Sequence, residues 1–70
     1  MDFASWFAKK LSALRQAEGM TQNEFAEASG IGIATIERIE RGRTIPNIST
    51  CLLIAKTLGV CLSDLFDGFL

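Results

Sequence analysis

The stretch that decides the fold is Thr21-Gln22-Asn23-Glu24-Phe25-Ala26-Glu27-Ala28-Ser29-Gly30-Ile31-Gly32-Ile33-Ala34-Thr35-Ile36-Glu37-Arg38-Ile39-Glu40-Arg41-Gly42. It opens on Thr21 and, three residues later, Glu24, a capping box in which each side chain accepts from the other residue's backbone N–H. Phe25 and Ala26 supply a buried side, and the helix is expected over about 22–29, closed by Gly30. After the turn Ser29-Gly30-Ile31, Ile36 and Ile39 recur at helical spacing, which predicts a second helix over about 33–41. Its entry has only Gly32 as cap, with no side-chain acceptor. Two short helices joined by so tight a turn let the second project from a domain. Many helical hairpins share this outline.

Upstream, Phe3, Phe7, Leu11 and Leu14 recur at spacings of four, four and three, one face of a helix over about 3–17. Downstream, Pro46 forces Ile45 out of the helical region, so Arg43 to Pro46 reads as a turn. Asn47 is a good N-cap for a helix reaching Leu58, with Ile48, Cys51, Leu52, Ala55 and Leu58 as its buried stripe. A short helix over about 62–66 closes the core. Gly19, Gly42 and Gly59 end helical stretches as Gly30 does. Nothing alternates like a strand and nothing repeats. The expected class is all-α, one domain over residues 1–70.

Composition narrows the function. With 49 % hydrophobic and 21 % charged residues the chain reads as globular. Two cysteines, Cys51 and Cys61, cannot build a disulfide framework, and both read as buried, reduced thiols of a cytosolic protein. Without a histidine they leave a zinc site half made, so no metal or cofactor is expected. Early Asp2 and the pair Lys9-Lys10 break any secretory signal, and no apolar run approaches the ~20 residues of a membrane span. No histidine, no tyrosine, no phosphate loop and no paired carboxylates in an evident pocket argue against an enzyme. Gly30 and Gly32 begin a G-x-G, but Thr35 stands where the third glycine of a dinucleotide fingerprint belongs, and no strand precedes it.

The net charge is −1, against the basic balance usual in nucleic-acid binders. Its distribution is uneven. Residues 1–17 carry a net +2, residues 18–40 a net −4 and residues 41–56 a net +3, before Asp64 and Asp67 in the tail. That leaves room for a locally basic face.

Residues 7–66 resemble the Cro and phage-repressor-like (XRE-like) helix-turn-helix family. The carriers are Leu11-Ser12-Ala13-Leu14-Arg15, Gly19-Met20-Thr21-Gln22-Asn23-Glu24-Phe25-Ala26 and Ser29-Gly30-Ile31. They continue through Thr35-Ile36-Glu37-Arg38-Ile39-Glu40-Arg41-Gly42, Ile54-Ala55-Lys56-Thr57-Leu58-Gly59-Val60 and Leu65-Phe66. The resemblance implies a lambda-repressor-like five-helix bundle whose recognition helix, residues 32–41, enters the major groove of double-stranded DNA. By position Gln22 would meet the phosphate backbone. Gly32, Ile33, Ala34, Glu37 and Arg38 would face base edges, with Thr35, Arg41, Arg43 and Thr44 near phosphates. Arg15 and Glu40 occupy positions that pair in related domains, so an ion pair between the first and third helices is expected. On pattern alone Gln22 also reads as a solvated first-turn residue, and the three arginines as surface charges. The leading Gly32, Ile33 and Ala34 are apolar where such helices are usually polar. They suit thymine methyl groups, weak base discrimination or a protein partner.

The expected function is a sequence-specific transcription regulator, a repressor of bacterial, phage or mobile-element origin, acting in the cytoplasm as a homodimer on a pseudo-palindromic operator. No membrane or small-molecule partner is expected. The competing reading keeps the fold as a protein-interaction or dimerisation module with weak or lost DNA binding. Trp6, Leu53, Phe69 and Leu70 lie outside the core that the five helices complete. A symmetric contact through the fourth and fifth helices and the tail, with Leu53, Phe69 and Leu70, is the expected dimer interface. The alternative folds Phe69 and Leu70 back onto Trp6 and Phe3.

Overall fold

In the computed structural model, which describes residues 2–69, four α-helices follow the order α1 Phe3–Ala17, α2 Gln22–Ser29, α3 Ile33–Glu40 and α4 Ile48–Leu58. A single 3-10 helix, Leu62–Leu65, takes the place of the expected fifth α-helix.

Helix entries follow local chemistry. The Asp2 carboxylate accepts from the Ser5 N–H at 2.8 Å, and this bond holds its pKa below the ordinary aspartate range. At α2 the capping box is complete: the Glu24 N–H donates to Thr21 Oγ1 at 3.1 Å and the Thr21 N–H to Glu24 Oε1 at 2.8 Å. Asn47 Oδ1 accepts from the Thr50 N–H at 2.9 Å to start α4. Gly32, before α3, offers no side-chain cap. Gly30 ends α2 at φ +76°, a left-handed conformation that costs a residue with a Cβ about 1–2 kcal/mol. Helix α3 stops at Glu40, one residue short of the expected end. A turn at Arg41-Gly42 then leads into irregular chain over 43–47, so the turn expected at Arg43–Pro46 lies earlier.

The core is one cluster. Phe7, Leu11, Phe25, Ile36, Ile39, Ile54 and Leu65 are fully buried, drawn from all five elements. Helix α1 packs on α3, α2 packs on α3 and α4, and the 3-10 helix seals α4 against α1. Ile31 in the α2–α3 turn is buried as well, pinning the connection to the body.

Helix α4 corrects the sequence reading. Cys51, Ala55 and Leu58 are buried as expected, together with Ile54, but Ile48 and Leu52 are exposed. Cys51 is buried and its thiol is pushed up in pKa, whereas Cys61 is exposed, because it precedes the 3-10 helix instead of lying within a helix face.

Candidate nucleic-acid interface

The orientation of α3 is set by one polar cluster beneath it. Arg15 of α1 donates from Nε to Glu40 Oε2 at 2.8 Å and from Nη2 to Glu40 Oε1 at 2.9 Å. Its Nη1 donates to the Met20 carbonyl at 2.7 Å, tying the α1–α2 connection to the same point. Both side chains are largely buried, at 11 % and 7 % exposed. The bond to Glu40 raises the arginine pKa further above its ordinary value. A planar guanidinium bridging a carboxylate at two points fixes angle as well as distance. The last turn of α3 is therefore clamped to α1, while its first turn is held only by Ile31 and by packing.

Gln22 joins this cluster. Its Nε2 donates to Glu40 Oε1 at 3.1 Å, so the half-buried amide turns inward toward α3. Nothing in residue spacing signals this contact, since Gln22 and Glu40 are eighteen positions apart.

Above the clamp, Gly32, Ile33, Ala34 and Arg38 are exposed, with Thr35 and Glu37 half-buried. Arg38 Nη2 donates to Thr35 Oγ1 at 3.2 Å, which lays the guanidinium back along the first turn. Beyond the helix, Arg41 and Arg43 are exposed and Thr44 is half-buried. The surface thus runs from an apolar leading edge to three arginines. Its acidic neighbour Glu40 is consumed by Arg15 and Gln22, which removes one of the two carboxylates that would oppose a phosphate.

At this point residues 11–65 match the helix-turn-helix family HTH_3. The chain belongs to that family. It is the XRE-like helix-turn-helix anticipated from the sequence, all-helical and built around α2, the turn and α3. Among its relatives is the HTH-type transcriptional regulator PuuR of Escherichia coli, 40 % identical over 59 residues, which cover 84 % of this chain and 32 % of PuuR. The chain therefore spans about a third of that relative's length. An HTH_3 family transcriptional regulator from Vibrio cholerae superposes with a TM-score of 0.85 at 34 % identity, over 91 % of this chain and 36 % of that one. The restriction-modification controller protein C.AhdI from Aeromonas hydrophila superposes with a TM-score of 0.86 at 28 % identity, over 90 % and 91 % of the two chains. The first two are named as transcriptional regulators and the third as a controller protein.

The other sequence-singled surface divides in two. Phe69 is half-buried, its ring 5.3 Å from that of Phe3 at 87° and 5.2 Å from that of Trp6. Lys10 secures the same turn, donating to the Asp67 carbonyl at 3.1 Å and lying 5.8 Å over the Trp6 ring. For Phe69 the structure thus adopts the fold-back arrangement, since the aromatic cluster on α1 offers it a ready apolar surface; Leu70 lies outside the described residues. Leu53 remains exposed, and Ile45, Ile48 and Leu52 are exposed as well, at 41–62 %. The last three were not anticipated. Ile48 and Leu52, four apart on α4, form a second apolar edge beside the buried stripe, and Ile45 stands in the chain before the helix.

Proposed function

We propose that this chain is a sequence-specific DNA-binding transcription regulator that places α3 in the major groove and represses as a homodimer. The observation that carries the reading is the exposed face of α3, with Arg38 on it and Arg41 and Arg43 immediately beyond. It is presented at a fixed angle by the Arg15–Glu40 clamp. The helix supplies groove contacts and the arginines supply phosphate contacts. Helix-turn-helix relatives named as transcriptional regulators support it.

Size supports two copies. The longest extent of the described residues is 30 Å, less than the ~34 Å between successive major-groove faces, so one copy reaches one half-site. The exposed residues Ile45, Ile48, Leu52 and Leu53 are a surface for a two-fold contact, which keeps Leu53 from the interface expected at the fourth and fifth helices and the tail and adds three neighbours in sequence. It also is what favours the alternative, a protein-contact module without DNA binding.

Electrophoretic shifts with genomic fragments at several salt concentrations test the proposal. An operator complex is expected to persist against competitor DNA while non-specific complexes dissolve as salt rises. Equal loss of all fragments would favour the protein-contact reading.

A further inference from the structure

We infer that the leading edge of α3 reads the C5-methyl group of pyrimidines, thymine in unmodified DNA, through Ile33 and Ala34. The inference rests on the proposed DNA-binding role and specifies what that site recognises. Gly32, Ile33 and Ala34 form the first exposed surface of the helix, Ile33 being 37 % exposed, and none carries a polar side-chain atom. Apart from the small C5–H edge of cytosine, the other groups that the bases present in the major groove are hydrogen-bond donors or acceptors; the thymine methyl is the one protruding apolar group. An aliphatic surface pressed against the others strips their water and returns no hydrogen bond, which is unfavourable. Against a methyl it buries carbon on carbon.

Gly32 supplies an independent observation. Its backbone, φ −60° and ψ 143°, is open to any residue, and a Cβ built there meets nothing within 4 Å. Serine or aspartate would cap α3 better, so neither conformation, space nor capping calls for glycine. What its missing side chain provides is close approach of the helix entry to a surface in front of it.

Glu37 sets the other half of the preference. It lies one turn after Ile33 on the same face, about 6 Å along the axis. An ionised carboxylate only accepts, so it favours the amino groups of cytosine or adenine and opposes the guanine edge, which presents acceptors.

The test begins with fragments selected from random duplexes by the purified protein. Thymines in the selected half-site are then replaced singly by deoxyuridine, which deletes only the methyl. Where Ile33 or Ala34 reads the base, affinity is expected to fall about fourfold per methyl. Replacing the T·A pair by C·G, with and without a 5-methyl on cytosine, separates the two sources of the group. The methylated form is expected to bind more tightly than the unmethylated one, and the T·A duplex most tightly. Ala34→Ser and Ile33→Ser are expected to erase the thymine-over-uracil difference, read as the ratio of the two affinities for each variant. The wild-type arms need no variant to fold. Equal affinity for thymine and uracil duplexes at every position, with the operator still bound, would overturn the inference and leave the DNA-binding role standing. Failure to retain any duplex over competitor would overturn both.

Discussion

At the scale of single residues, Glu40 has the most to lose. Its carboxylate accepts two bonds from Arg15 and one from Gln22 while 7 % exposed. Glu40→Ala leaves a guanidinium largely buried without its counter-charge, a change of about 3 kcal/mol, and Tm is expected to fall by on the order of 15 °C. The double replacement Arg15→Met with Glu40→Leu is expected to recover most of that loss, because two apolar groups need no counter-charge. Thermal unfolding followed by circular dichroism reads both; an unchanged Tm in the single variant would show that the clamp contributes nothing. The arginines beyond it separate by role. Arg43→Ala is expected to weaken binding alike on all sequences and to reduce the salt slope by about one. Arg38→Ala, on the helix itself, is expected to lose more on the operator than on random DNA, and equal losses would make it a phosphate contact. The pairing of Arg15 with Glu40 was legible through family resemblance. The inward turn of Gln22 was not, because a side chain's rotamer depends on which acceptor the fold brings beside it.

Among the elements, α2 and α3 contrast in how their starts are secured. Helix α2 has both halves of its capping box, whereas α3 has none and relies on buried Ile31, Ile36 and Ile39. Thr21→Ala removes one acceptor and is expected to cost about 1 kcal/mol, visible as a fall in Tm of about 4–8 °C. Its effect on DNA affinity at a temperature where the variant is folded is expected to be small, since the clamp on α3 stays. A loss of affinity without a loss of stability would instead place the start of α2 at the phosphate backbone. Caps and left-handed glycines made the helix boundaries legible to within about a residue, since those signals are local. Helix α4 shows where local signals run out. Cys51, Ile54, Ala55 and Leu58 form one apolar stripe, and Ile48 and Leu52 another, turned by about 90°. Periodicity establishes that both stripes exist, but only the neighbours in space decide which one α2 and the 3-10 helix cover.

For the whole molecule, the exposed stripe and the covered tail bear on the same question of assembly. Phe69 packs on Phe3 and Trp6, and Lys10 closes over that turn, so part of the tail aromatic's surface is already covered within the chain. Ile45, Ile48, Leu52 and Leu53 stay in solvent, an apolar patch of the kind that marks a contact surface when it is contiguous. A two-fold pairing through it would make each residue meet its own counterpart or a near neighbour, as an isologous contact requires. Such a pair would couple stability to concentration, because dimerisation binds the folded state only. Wild-type protein is therefore expected to sediment as a dimer at micromolar concentration and to show a Tm that rises with concentration. Leu52→Glu or Leu53→Glu places charges that face each other across the axis, and either is expected to yield monomer with a concentration-independent Tm. Because both side chains are exposed, neither substitution opens a cavity in the core, so a monomer that retains full helicity would identify the patch as the interface. Phe69→Ala is expected to leave the dimer intact while changing Trp6 fluorescence, since it removes the ring packed beside that indole. If Phe69→Ala dissociates the dimer and the leucine variants do not, the interface lies at the tail; if wild type stays monomeric at high concentration, operator binding must proceed one half-site at a time.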